Sequence, residues 1–213
     1  MIRLDMPQGS DEWRTARVGI ATASGFADIL AKGRGSEKEA ASRRNLRAKL
    51  VVERLTGIPV QSFTSAAMQQ GTEREPIARA AYESLTGEFV DAVGFLRHDE
   101  IEAGASPDGL IGEEGGIEIK CPELTAHLEY LRLPPNTCPA KYVAQVQGCI
   151  WISGRAWWKF ASFNPEFPDH LQLIVRRIER DETYIAGLQL AVALFMEEVR
   201  AEEAEVRALP IAA

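Results

Sequence analysis

The sequence predicts an α/β (α+β) fold in which a central mixed β-sheet is flanked by helices. Three observations carry this. Helical patterns fill most of the first 90 residues. Strand-like runs then begin near Val93 and gather around a glycine-rich hairpin. The last third reads helix, strand, strand, long helix. The chain of 213 residues fits one domain over 1–213, with an N-terminal helical part over about 1–90 and a sheet with its helices over about 91–213.

Taken in order, Ser10-Asp11-Glu12 opens a helix, with Ser10 as N-cap and acids in the first turn. Thr22 to Ala31 reads as a short helix with Phe26, Ile29 and Leu30 on one side. Gly33-Arg34-Gly35 breaks it, and Ser36-x-x-Glu39 has the spacing of a capping box for a helix reaching Thr56, stopped by Gly57. A further helix runs from about Ser65 to Leu85, with a possible interruption at Gly71 and a stop at Gly87. Val93–His98 and Ala103–Ala105 read as strands. Asp108–Ile111 and Ile117–Cys121 read as the arms of a hairpin whose turn is Gly112 to Gly116. Leu124–Leu133 and Ala140–Ile152 are expected helices, with Pro134-Pro135-Asn136 as a loop between them. Ala156–Phe163 and His170–Ile178 are expected strands, and Asp181 to Arg207 is a long amphipathic helix with an acidic face.

Composition narrows the function classes. A net charge of −7 argues against a protein that coats nucleic acid non-specifically, yet leaves room for locally concentrated basic groups. Basic residues crowd the first fifty positions, among them Arg14, Arg17, Lys32, Arg34, Arg43, Arg44 and Arg47, while Glu197, Glu198, Glu202, Glu203 and Glu205 lie near the C-terminus. No run of 18 apolar residues exists, so a membrane span is not expected. Met1-Ile2-Arg3-Leu4-Asp5 shows no signal-peptide pattern. Three cysteines without C-x-x-C spacing and three scattered histidines give no structural zinc site and no disulfide framework, which fits a reducing cytoplasm.

The hairpin carries the chemistry. Side chains alternate across a strand, so Glu118 and Lys120 share one face while Ile117, Ile119 and Cys121 take the other. If Asp108 lies across from Glu118, two acids and an amine converge. Two ionised carboxylates about 4 Å apart repel by roughly 4 kcal/mol at an effective dielectric near 20, a cost that a divalent cation removes. Oxygen donors alone suit Mg²⁺, with Mn²⁺ as a substitute. By itself the pattern is equally compatible with a surface hairpin bearing a Glu–Lys pair.

Pro107-Asp108, nine residues, then Glu118-Ile119-Lys120 resembles the signature of the PD-(D/E)xK nuclease superfamily and its restriction-endonuclease-like core. Three further blocks resemble one branch of it, the lambda-exonuclease family of phage recombination nucleases, also called YqaJ-like recombinases. They are Gln8-Gly9-Ser10-Asp11-Glu12-Trp13 with Arg17 to Ser24, then Gly71 to Arg79, then Tyr142 to Gln147 with Trp151. Weaker likeness continues through Trp157-Trp158-Lys159-Phe160-Ala161 and Ile178-Glu179-Arg180-Asp181.

The resemblance implies a Mg²⁺-dependent 5′→3′ exonuclease acting on double-stranded DNA ends, leaving a 3′ overhang. Asp108, Glu118 and the Ile119 carbonyl would hold the metal, and Lys120 would act beside it. Glu75 would be an additional helix acid near the metal, although Thr72-x-x-Glu75 is also a capping box, and Gln145 would approach the metal-site water or the scissile phosphate. Arg17, Ser24 and Ser106 would form a pocket for the 5′-terminal phosphate. Arg34 would reach the minor groove, and Met68 would wedge against the terminal base pair. Trp13, Trp151, Trp157 and Trp158 read as core or interface residues. The resemblance also implies a homotrimeric ring, a single-strand annealing partner, and a phage or prophage origin in a bacterial host. Two other readings remain open on the residues: a sequence- or structure-specific endonuclease of the same fold, and a non-catalytic DNA-end-binding module.

Overall fold

Two four-stranded mixed sheets form the frame. The computed structural model describes residues 1–33, 35, 38–60 and 66–210, with the backbone alone at 66–68. The first sheet joins β1 (Ile2–Leu4), β2 (Ala21–Thr22), β3 (Phe95–Arg97) and β4 (Ala103–Ala105) in the order β1-β3-β4-β2, with β2 parallel to β4. The second holds β5 (Gly109–Ile111), β6 (Gly115–Lys120), β7 (Trp157–Phe163) and β8 (Leu173–Glu179) in sequence order. Of its pairs only β6–β7 is parallel, and an isolated bridge from Asp91 to Leu110 leads from one sheet towards the other. The first ninety residues therefore contribute strands as well as helices.

The helices are α1 (Asp11–Ala16), α2 (Phe26–Ile29), α3 (Ala41–Thr56), α4 (Ala66–Thr86), α5 (Leu124–Leu131), α6 (Ala140–Ser153) and α7 (Glu182–Arg207). Their ends follow local chemistry. The Ser10 hydroxyl accepts from the Trp13 amide, and Asp181 accepts from the Tyr184 amide at 2.9 Å. Gly57 and Gly154, both with φ near +70°, close α3 and α6 in the left-handed conformation that glycine reaches without strain.

The second sheet is buried on both faces. Trp158 and Phe160 join the side chains of α6 and α7, whereas Ile117, Ile119, Trp157 and Ala161 pack with Ala78 and Tyr82 of α4. Alternation then puts Glu118, whose strand partner is Phe160, on the α6 side of β6. Gly115 and Gly116 belong to β6 rather than to the turn, since they pair with Trp157 and Trp158 of β7, and they are glycines there because a Cβ would overlap those rings.

Four expected boundaries shift. Ala21–Thr22 pairs with β4, so the helix expected over 22–31 shrinks to a 3-10 turn at Ala23–Gly25 and the short α2. The helix expected to open at Ser36 begins at Ala41, because Glu39 is drawn into ion pairs with Arg43 and Arg47 instead of capping; Ser36 lies outside the described residues. α4 runs unbroken through Gly71, so Thr72 falls inside a helix and Glu75 is not a capping partner; its expected start, Ser65, is outside the described residues. Residues Asp169–Leu171 form a 3-10 turn, and β8 starts at Leu173.

The uneven charge is spent internally. Arg43 binds Glu198 and Arg47 binds Glu202, each at 2.8 Å, and Arg54 pairs with Glu102 and Glu203. These arginines of α3 thus clasp the acidic face of α7 and do not form a free basic track. Among the described residues no helix is long and apolar enough to cross a membrane, and the three cysteines are free.

Candidate active site

The register of β5 against β6, Gly109 opposite Ile117, carries Asp108 to the level of Glu118. The Asp108 Oδ2 accepts the Ile119 amide at 2.5 Å, and the Arg79 guanidinium binds the Asp108 carbonyl. Glu118 is 1% exposed. Its Oε1 accepts from the Gln145 amide at 2.6 Å and pairs with the Lys120 ammonium, while Oε2 is buried with no partner among the described residues. Asp108, Glu118, Ile119, Lys120 and Gln145 therefore meet at one point, as the hairpin spacing and the α6 block imply.

The electrostatics agree with an acid-rich pocket. Burial pushes the Asp108 carboxyl well above its ordinary value, and Glu118 and Glu75 add to this against Lys120 and the Ile119 amide. Burial also raises Glu75; Arg79, 4.0 Å away, opposes it and Glu118 reinforces it. Burial pulls the Lys120 ammonium down, but Glu118 and Asp108 outweigh it and hold it above the ordinary lysine value.

This donor set fits a hard divalent cation. A carboxylate oxygen that is buried with no partner among the described residues, beside a second carboxyl whose charged form burial disfavours, is a deficit that a cation would relieve. Among the described residues no three His, Cys, Asp or Glu side chains are grouped to hold a metal. The groups that could hold such a cation are Asp108, Glu118 and the Ile119 carbonyl, with Glu75 close enough to act on them electrostatically.

A second cluster adjoins the first. Ser106 lies two residues before Asp108, and its hydroxyl receives Arg17 Nη1 at 2.8 Å and Trp13 Nε1 at 2.9 Å. The Arg17 guanidinium lies 4.0 Å over the Trp13 ring. Burial pushes Arg17 down to about 10, with Glu53 opposing, so it remains a cation at neutral pH. Ser24 is exposed and its hydroxyl is 3.3 Å from that of Thr22; it bonds to neither Arg17 nor Ser106. It nevertheless leaves β2 at the end where Ser106 leaves β4, since Thr22 pairs with Gly104 in parallel. Arg34 lies outside the described residues. Met68 is within α4, but its side chain is likewise outside them.

Several residues around the site escaped the sequence reading, although each lies in a motif block. Gln8 donates to the carbonyls of Val93 and Pro107 at 2.9 and 2.7 Å, fixing the segment before Asp108. Trp13 is half-buried and serves as donor and platform rather than as core. Arg79 anchors Asp108, and Tyr142 faces Lys120. Gln8, Trp13, Glu75, Arg79 and Asp108 line a cleft of about 820 Å³.

Residues 12–156 match the YqaJ-like viral recombinase domain. Two solved structures of LHK-Exo, an alkaline exonuclease from Laribacter hongkongensis, share 42% identity over 93% of this chain and 96% of theirs. The one in complex with dAMP superposes with a TM-score of 0.85, the other with 0.84. A phage-related exonuclease from Haemophilus somnus 129PT, at 14% identity over 86% of this chain and 96% of its own, shares the fold with a TM-score of 0.65. No sequence among the curated proteins matches the chain.

Proposed function

The chain belongs to the YqaJ-like viral recombinase domain family, and from that premise we propose that it is a Mg²⁺-dependent 5′→3′ double-strand DNA exonuclease of phage-type recombination. It works as a single nuclease domain that degrades the 5′-phosphorylated strand to mononucleotides and leaves a 3′ single-strand overhang. The observation that supports this best is the junction of the two clusters. Ser106, whose hydroxyl Arg17 binds at 2.8 Å, lies two residues upstream of Asp108, at most about 7 Å of chain. That span suits one nucleotide, with its 5′-phosphate held by Arg17 and Ser106 and its 3′ phosphodiester over Asp108 and Glu118. The dAMP bound by LHK-Exo is a product of that class.

Asp108, Glu118 and the Ile119 carbonyl would hold Mg²⁺ (or Mn²⁺), which would supply Lewis-acid stabilisation and a water of lowered pKa. Gln145 holds Glu118 Oε1 and so leaves Oε2 for that role. Lys120, kept charged by Glu118 and Asp108, stabilises negative charge on the reacting phosphoryl group and does not act as a base. Glu75 strengthens the pull of the site on cations. Arg17, Ser106 and Ser24 take the 5′-phosphate, and each cut creates the next one, which gives a direction. A homotrimeric ring, with Arg34 and Met68 against the duplex and a single-strand annealing partner on the overhang, belongs to the same reading. So does a place in the cytoplasm of a bacterial host as part of a phage or prophage.

The test compares linear duplex with covalently closed circles in Mg²⁺, beside Glu118→Ala. Degradation of the linear form alone, abolished by the substitution, is expected. Equal cutting of circles makes the protein an endonuclease of the same fold, and binding without cleavage makes it an end-binding module.

A further inference from the structure

The Lys120 Nζ lies 5.1 Å from the centroid of the Tyr142 ring. Tyr142 and Gln145 stand one turn apart on α6 and so share a face, while Glu118 and Lys120 share a face of β6. One turn of helix therefore grips both members of the ion pair, Gln145 on Glu118 and Tyr142 on Lys120.

The Tyr142 ring is itself immobilised. It stacks on Phe160 at 5.5 Å and 30°, and meets Tyr130 edge-on at 6.3 Å. Tyr130 meets Phe160 edge-on at 5.9 Å, which closes a block of three rings. Phe160 is fully buried and is the strand partner of Glu118, so the block is built on the same sheet as the acid. A flexible lysine would otherwise sample many rotamers, and an aromatic face attracts an ammonium where water is scarce.

We propose that Tyr142 is a positioning residue whose ring face, rather than its hydroxyl, fixes Lys120 against Glu118. The inference rests on the nuclease reading and adds a residue to it. A lysine held by Glu118 alone could swing with the carboxylate; held also by the ring, it keeps one place while the carboxylate takes a cation.

The experiment uses the full chain with Tyr142→Phe, Tyr142→Leu and a series of Phe variants at 142 carrying one, two or three ring fluorines. Fluorine withdraws the electron density of the face and preserves its shape. Tyr142→Leu is expected to lower kcat about tenfold with KM nearly unchanged, Tyr142→Phe to recover most of it, and the fluorinated series to fall stepwise. A readout independent of turnover is the ¹³C-lysine spectrum of the metal-free protein. The Lys120 ε-methylene protons should show an upfield ring-current shift, identified by its loss in Lys120→Arg, kept in Tyr142→Phe and lost in Tyr142→Leu. Equal loss of kcat in Tyr142→Phe and Tyr142→Leu would assign the role to the hydroxyl and overturn the proposal, as would a flat fluorine series or an unshifted Lys120 signal. An inactive wild-type protein with the ring-current shift intact would instead sink the nuclease reading and leave the geometry standing.

Discussion

The Gln145 side-chain amide donates at 2.6 Å to one oxygen of the buried Glu118 carboxylate and leaves the other with no partner among the described residues. A helix thus turns a core acid so that half of it stays available. An unpartnered buried carboxylate oxygen costs free energy, and it persists here because the neighbouring strand and helix over-determine its position.

Gln145→Ala should remove a hydrogen bond to a charged group, worth about 1.5–3 kcal/mol. Chemical denaturation should show that loss of stability. Single-turnover digestion should slow by roughly tenfold to a hundredfold, since about 1.4 kcal/mol corresponds to tenfold. A variant as stable and as fast as wild type would mean that Glu118 needs no help in orientation.

Metal binding can be read without turnover. At a concentration about a hundred times its dissociation constant, Mg²⁺ or Mn²⁺ should stabilise the fold by about 2.7 kcal/mol. For a chain of this size that is a rise in Tm of roughly 5–10 °C. Glu118→Gln should abolish the rise. An equal rise in both proteins would place the cation elsewhere.

The metal-free protein should lose stability as pH increases above the ordinary carboxylate range. The Asp108 and Glu75 carboxyls titrate higher in the folded chain than in the unfolded one. Their contribution is therefore complete below the unfolded value of about 4 and disappears as pH rises through the folded values. Thermal unfolding in chelator at pH 5, 6 and 7 should show this fall, and Asp108→Asn should flatten it while destroying cation binding. An unchanged slope in Asp108→Asn would contradict the account.

Arg17→Ala should erase preference for a 5′-phosphorylated end over a 5′-hydroxyl end. Loss of a charge-assisted contact of about 1.5–3 kcal/mol translates into roughly tenfold to a hundredfold in the ratio of the two digestion rates. Arg17→Lys should recover only part of it, because a lysine offers no planar fork to phosphate or to the Trp13 ring. A preference that survives Arg17→Ala would remove Arg17 from the phosphate pocket.

Gly116→Ala should destabilise the hairpin although it touches no proposed ligand. Its Cβ would meet the ring of Trp158, which is fully buried and cannot yield. Overpacking of this kind costs about 1–3 kcal/mol and should lower Tm by several degrees. An unchanged Tm would show that β6 and β7 can separate to admit a methyl group.

The hairpin was legible because strand alternation and the turn glycines are local signals. They bring Asp108, Glu118 and Lys120 together through a register of few residues. The long helices were legible in the same way, from caps and apolar spacing. What the sequence hid is long-range. The clasp of Arg43 and Arg47 on α7 joins residues 155 apart, and no local pattern distinguishes it from two solvated charge runs. The same holds for Gln8 on the Pro107 carbonyl and Arg79 on the Asp108 carbonyl, which are backbone contacts that leave no periodicity. The capping-box spacing at Ser36 misplaced a helix start, and the one at Thr72 was only an alternative to a site role for Glu75, because a Ser/Thr-x-x-Glu spacing recurs where the glutamate has a better partner or the threonine lies inside a helix. Glu39 found two arginines, and Thr72 fell inside an unbroken helix.

The most direct test of the central claim is the first product released from a uniformly labelled linear duplex bearing one 5′-phosphate, in Mg²⁺. Asp108, Glu118 and Lys120 working one nucleotide from Arg17 and Ser106 should release 5′-mononucleotides from the phosphorylated strand from the earliest time point, leaving its complement whole. Oligonucleotides as first products, or shortening of the complementary strand from its 3′ end, would contradict the account.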